Sequence, residues 1–246
     1  MRLTCDIWKT LRPPFVFFGE YDYGAISRDG TVVALSRTDD VTIFEVASAD
    51  QLAAFQATSA IRRMTMWESQ RLAATNNKGE VTVWNLDARK RLCTVQSLAA
   101  YECRFSHNGE QLLLWDDTKG TEVVDIASGQ VTATFADGVG GAFNTAGDTI
   151  VLRGRVGKQL AVFNATQSET LCRLDWNGTT AVISADATLV ATRAPDEKTL
   201  CTFDAVTGTR LCEFLCERCG EHSRELAFTP DSRLLLVARG VDAIDD

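Results

Sequence analysis

The chain is 246 residues long and carries 25 basic against 33 acidic residues, a formal net charge of −8. With 45% hydrophobic residues, 4 prolines and 17 glycines, its composition is that of an ordinary globular protein and excludes a disordered tail or a fibrous repeat. The acidic balance argues against a dedicated nucleic-acid binder, which needs a basic footprint. No apolar run approaches the roughly eighteen residues of a membrane-spanning helix. The first residues, MRLTCDIWKTLRPPFVFF, have a polar, charged middle and do not read as a secretory signal.

Taken in chain order, the predicted elements are short β-prone runs. Two lie at the start, LTCDIW at 3–8 and PFVFF at 14–18. A unit of four runs follows: GAIS, VVALS from Val32, VTIFEV at 41–46, and LAAF. It returns as MTMW, LAAT from Leu72, VTVWNL at 81–86 and RLCTV, then as CRFS, LLLW from Leu112, TEVVDI at 121–126 and VTATF. The fourth unit is GAFN, IVLR from Ile150, LAVFNA at 160–165 and TLCRL. The fifth is AVIS, LVAT from Leu189, LCTFDA at 200–205 and RLCEF. Two more runs, ELAFTP and RLLLVARG, precede a weak VDAIDD. Phe44, Trp84, Val124, Phe163 and Phe203 hold the same place in the third runs, at spacings of 40, 40, 39 and 40.

These runs are rich in Val, Ile, Leu, Thr and Phe, which suit a pleated, half-buried surface. Turn chemistry separates them. Asp29-Gly30 and Asn108-Gly109 suit tight hairpins, and Asp125…Gly129 and Asp204…Gly208 suit longer turns closed by glycine. A four-stranded unit of about 40 residues cannot cover both its faces alone. Stacking units around an axis covers them. The expected fold is therefore all-β: a six-bladed β-propeller, four antiparallel strands per blade, with the last blade closed by N- and C-terminal strands. It forms one domain over 1–246, with blades at about 21–60, 61–100, 101–138, 139–178 and 179–217, and a sixth at 218–246 completed by 1–20. The alternative is a piece of a longer protein.

The period, the Trp84-Asn85, Phe203-Asp204 and Val124-Asp125 pairs, and the segments FSHNG at 105–109 and FTPDS at 228–232 resemble the WD40-repeat family. The resemblance covers essentially the whole chain, with degenerate motifs. The family's Gly-His pair is missing from every blade, Glu221-His222 being the nearest relic, so its buried histidine network cannot form. Trp115-Asp116 ends a second run and not a third, so it is a decoy. The resemblance implies a protein-interaction scaffold.

Catalytic chemistry has little support. His107 falls in a predicted hairpin turn, a poor place for a preorganised base, and Ser106 and Ser184 sit at repeat-equivalent turns. Gly138, Gly140 and Gly141 enter a strand and not a helix, so they make no phosphate loop. Asp39, Asp40, Asp116, Asp117 and Asp196 are candidates for a central-channel carboxylate site of a hydrolase-type propeller enzyme, by location only. Of eight cysteines, Cys93, Cys172 and Cys212 recur in the fourth runs and read as small buried apolar residues. Reduced thiols point to a cytoplasmic protein, with the nucleus possible. Cys212, Cys216, Cys219 and His222 have spacing that could hold a zinc ion, although the cluster reads first as free thiols in a polar loop. No cofactor is expected.

The remaining surface is the rim of charged second-to-third loops and of loops between units. Tyr21, Tyr23, Tyr101 and Trp176, with Arg153, Arg155 and Lys158, are the expected partner-binding residues, suited to an acidic or extended protein segment. Nucleic acid is expected only within a larger assembly. The expected function is a non-catalytic protein–protein interaction scaffold, a subunit or adaptor of a larger complex.

Overall fold

A computed structural model describes residues 21–154, 159–165, 167–196, 198–215 and 226–237. Blade 1 comprises β1 (Tyr23–Ile26), β2 (Val32–Arg37), β3 (Asp40–Glu45) and β4 (Gln51–Gln56). Blade 2 comprises β5 (Ile61–Trp67), β6 (Arg71–Asn76), β7 (Glu80–Asn85) and β8 (Lys90–Gln96). In blade 3, β9 (Glu102–Phe105), β10 (Gln111–Asp116), β11 (Gly120–Asp125) and β12 (Gln130–Phe135) repeat the pattern. Blade 4 is β13 (Gly138–Phe143), β14 (Thr149–Gly154), β15 (Leu160–Asn164) and β16 (Thr170–Leu174). Blade 5 is β17 (Thr180–Ile183), β18 (Leu189–Arg193), β19 (Thr199–Asp204) and β20 (Arg210–Leu215). β21 (Leu226–Phe228) and β22 (Leu235–Val237) begin blade 6.

Each of the first five blades is a four-stranded antiparallel sheet in simple chain order, and β21 pairs with β22 in the same sense. The fold is a six-bladed propeller. The expected closing strands at 3–8 and 14–18 lie outside the described residues. First strands stand nearest the axis, where β1 neighbours β5, β5 neighbours β9, β13 neighbours β17 and β17 neighbours β21.

The hydrophobic cores lie between blades and not within them. Val41 and Ile43 of blade 1 meet Ile61, Leu72 and Trp84 of blade 2. Val81 and Val83 meet Phe105, Leu112 and Leu114 across the next seam. Leu113 and Phe135 meet Ile150 and Leu152, and Leu160 and Leu174 meet Val190 and Phe203. Ala191 and Leu200 meet Leu226 and Leu235. Alternation along a strand sends successive side chains to opposite neighbours, so the middle strands of a blade are buried on both faces.

Two local devices repeat. At the end of each third strand the register shifts by one residue, at Ile43/Phe44, Val83/Trp84, Val123/Val124, Val162/Phe163 and Thr202/Phe203. The next side chain caps the turn: Asn85, Asp125, Asn164 and Asp204 each accept the backbone N–H three residues on, at 2.6–2.9 Å. The turn then passes through a left-handed residue, Ala49, Arg89, Gly129, Ser168 or Gly208, with φ of 50–72°. In the first-to-second turns a hydroxyl bonds a carboxylate or amide two residues on, and accepts the N–H that opens the second strand. Ser27 and Asp29, Ser106 and Asn108, Ser184 and Asp186, and Thr229 and Asp231 all do this. Ser106 and Ser184 are thus turn residues. Trp115-Asp116 closes β10, a second strand, as the spacing indicates.

One expectation is corrected. Cys93 and Cys172 are half-buried, but Cys212 is exposed. A Cβ on Gly129 would touch the Cys93 side chain, and one on Gly208 would crowd the Cys172 sulfur. The cysteine of one blade is therefore covered by the left-handed turn of the next. Cys212 lies on β20, the outer edge strand of blade 5, and all of β20 is exposed.

Candidate interaction surface

The face that carries the second-to-third turns also carries the starts of the first strands. There β1, β5 and β9 bring Tyr23, Arg63 and Glu102 together. Arg63 Nε donates to Glu102 Oε1 at 2.8 Å, and this bond raises its pKa above the ordinary arginine value, against the effect of burial. Its guanidinium lies 5.3 Å from the Tyr23 ring centroid and 5.4 Å from that of Tyr101. Arg62 stands 5.0 Å over the same Tyr101 ring and donates to Asn77 at 2.8 Å. Thr75 donates to the Tyr101 carbonyl at 3.0 Å. Three blades thus fix a stack of two tyrosines and two arginines. Planar guanidinium over aromatic faces is favourable, and the two tyrosines lose little entropy on contact.

The sequence-expected rim residues divide. Tyr23 and Tyr101 meet through Arg63, with Tyr21 exposed two residues before Tyr23. Trp176 is elsewhere. It is half-buried in the core between blades 4 and 5, 6.0 Å from the Phe203 ring, with Arg210 at 5.8 Å on it. Arg153 is next to last in β14 and bonds within its own blade and to both neighbours. Its Nε donates to the Val139 carbonyl of β13 at 3.1 Å, its Nη1 to the Thr179 carbonyl before blade 5 at 3.3 Å, and its Nη2 to Asp117 of blade 3 at 3.1 Å. Arg155 and Lys158 lie outside the described residues.

Beside Arg153 the first strands of blades 3 to 6 border a cavity of about 160 Å³. Arg104, Trp115, Gly140, Gly141, Arg153 and Thr179 line it. Arg193, at the repeat-equivalent position one blade beyond Arg153, is buried, and its Nε and Nη2 have no hydrogen-bond partner among the described residues. Arg62, Arg63, Glu102 and Arg104 were not expected from the sequence. The signal was the doubled arginine in IRRMTMW and the lone charge in CRFS, both inside otherwise apolar first runs.

The aspartates proposed for channel catalysis have other occupations. Asp116 accepts the Thr118 hydroxyl and the N–H groups of Thr118 and Lys119, and Asp196 accepts the Thr199 hydroxyl and the N–H groups of Lys198 and Thr199. These bonds hold both carboxyls below their usual range, the reverse of what a general acid needs. Asp117 pairs with Arg153, Asp39 accepts the neighbouring Thr38 hydroxyl at 3.0 Å, and Asp40 opens β3 opposite Arg37.

At the opposite end, exposed His107 sits 3.4 Å from Arg28, and Arg28 lies 3.9 Å from Glu68. Among the described residues no group of three His, Cys, Asp or Glu side chains could hold a metal ion. Cys216, Cys219 and His222 lie outside them. No helix among the described residues is long and apolar enough to cross a membrane.

No family model and no curated protein matches the sequence. Solved structures do. A chain in the crystal structure of the Mitotic Checkpoint Complex is similar with a TM-score of 0.67 and 16% identity, over 87% of this chain and 72% of that one. The β-propeller domain of Myceliophteria thermophila Cps50 (Swd1) is similar with a TM-score of 0.63 and 11% identity, over 88% of this chain and 78% of that one. The likeness is one of fold, that of a β-propeller.

Proposed function

We propose that the chain is a non-catalytic protein-interaction scaffold, a subunit or adaptor of a larger complex, and that it engages its partner through the face bearing Tyr23, Arg63 and Tyr101. The observation that carries this reading is that stack. Three blades hold it, and Tyr101 is exposed beside a half-buried Arg62. Rigid aromatic and arginine anchors are the residue types that dominate binding energy at protein interfaces. The turn roles of Asp116 and Asp196 weigh against the enzyme alternative. Among proteins of similar fold, one is a chain of a multi-protein complex by its description, which agrees with an adaptor role. The free thiols of Cys103 and Cys201 suit a cytoplasmic or nuclear setting.

The test is affinity capture of the native protein, with identification of co-purifying chains, repeated with an R62A/Y101A double variant. Stoichiometric partners that are lost in the double variant, at unchanged thermal stability, support the reading. Absence of any stoichiometric partner, or capture that ignores both substitutions, overturns it.

A further inference from the structure

We propose that the cavity between Arg104 and Arg153 is a carboxylate subsite, which receives an Asp or Glu side chain from an extended acidic segment of a partner protein. This rests on the scaffold reading and specifies what part of that face recognises.

The cavity exists because one of its walls has no side chains. β13 reads GVGGAF, and its register against β14 shifts between Val139 and Gly141. Gly140 adopts φ of 59°, and a Cβ there would press on the Trp115 indole. A Cβ on Gly141 would overlap the Val151 carbonyl. The bulge therefore tolerates only glycine, and the bare strand leaves room beside it.

Two arginines border that room, and among the described residues no acidic side chain does. In a chain of net charge −8 this is a local reversal of sign. Arg153 is already held by two carbonyls and Asp117, so a ligand would meet a guanidinium whose rotamer is set. Arg104 is exposed and makes one long bond, Nη1 to the Gly141 carbonyl at 3.4 Å, which leaves its other nitrogens unbonded among the described residues. A planar fork with free donors matches a carboxylate through two parallel bonds.

The charge count selects the ligand class. Among the described residues, two guanidinium groups and the Asp117 carboxylate leave one net positive charge. A carboxylate neutralises it. A phosphate dianion would leave excess negative charge within a chain that is already acidic. Trp115 supplies an apolar wall for the methylenes of the entering side chain.

The experiment pans a displayed library of random dodecapeptides on the full chain and, in parallel, on Arg104→Gln. One selected peptide is then titrated against both and against Arg28→Gln, which lies at the opposite end of the blades beside His107. Enrichment of Asp and Glu on the native chain is expected. Arg104→Gln should weaken the selected peptide about tenfold or more, the size of a lost charge-assisted bond, and Arg28→Gln should leave it unchanged. No enriched peptide, enrichment without acidic preference, or equal affinity for Arg104→Gln overturns the proposal. So does displacement of the peptide by inorganic phosphate more strongly than by acetate. Affinity capture with Arg104→Gln separates the two readings. If native chain and variant capture the same partners equally, the subsite fails and the scaffold stands. If the native chain captures none, the scaffold reading fails, and the library decides the subsite by itself.

Discussion

Trp67 donates its indole N–H to the carbonyl of His107 at 2.7 Å, and so ties the end of β5 to the first turn of blade 3. The indole ring lies against Gly109 in the same turn, while Arg71 donates to the Gly109 carbonyl and stacks 5.2 Å over the indole. A glycine is required there twice over, for its φ of 71° and for the space the ring takes. Gly30 has the same φ, and open space around its missing Cβ.

Gly109→Ala and Gly30→Ala should therefore differ. Both incur the backbone penalty of a left-handed alanine, about 1–2 kcal/mol. Gly109→Ala adds overpacking against Trp67, for a total of about 2–5 kcal/mol. Urea denaturation of the two variants checks this. Equal losses would mean that the Trp67 contact is slack.

The left-handed residue after each third strand gives a second prediction. Ala49 and Arg89 occupy it with φ of 61° and 50°, where blades 3 and 5 have Gly129 and Gly208. Ala49→Gly and Arg89→Gly should each raise stability by up to about 1 kcal/mol, the strain relieved less the extra unfolded-state entropy of glycine. Gly208→Ala should lose stability, because its Cβ would crowd the Arg173 carbonyl and the Cys172 sulfur. Melting temperatures of the three variants decide it.

Acid should weaken the first-to-second turns. Asp186 accepts the Ser184 hydroxyl at 2.6 Å, the Thr188 hydroxyl at 2.8 Å and the Thr188 N–H at 3.1 Å, and the Ser184 bond leads in holding its pKa at about 2. Asp29 and Asp231 are lowered by the same kind of bond, from Ser27 and Thr229 first. A depressed folded pKa contributes stability that is complete above the unfolded value, near pH ~4, and is lost as pH falls toward 2. Asp186→Asn should melt below the native chain at pH 7, with the gap closing by pH ~2. A gap that persists at low pH would assign the effect to the turn geometry and not to the charge.

Arg153 should matter as a tether more than as an ion pair. Asp117 is largely exposed, so Asp117→Asn should cost only about 0–1 kcal/mol. Arg153→Met releases the Val139 carbonyl within blade 4 and the Thr179 carbonyl across the seam to blade 5, and should cost about 1–3 kcal/mol. Denaturant titration of both variants separates the two contributions. A larger loss for Asp117→Asn would reverse the assignment.

The blade pattern was legible because it is periodic. Phe44, Trp84, Val124, Phe163 and Phe203 recur at one register, and each is followed by a side chain that accepts a hydrogen bond or carries a carboxylate. The structure gives that neighbour its physical reason, since Asn85 and Asp204 cap the turn they begin. The site was less legible because it does not repeat. At the position equivalent to Arg153, blades 1, 2, 3 and 5 carry Ser36, Thr75, Trp115 and Arg193. Periodicity averages such differences away. Trp176 looked like a surface anchor because loops between blades are usually wet, yet its ring packs with Phe203. The stack of Arg63 on Tyr23 and Tyr101 joins residues 40 and 38 positions apart along the chain, so only closure around the axis brings them together.

Cys103 lies in the seam between blades 2 and 3, and burial pushes its thiol up to about 12. At neutral pH it is not a thiolate, and alkylating reagents act on thiolates. Exposed Cys212 supplies an internal control. The rate at which Cys103 is labelled, relative to Cys212, is then a stopwatch for the parting of two adjacent blades, read from a native side chain.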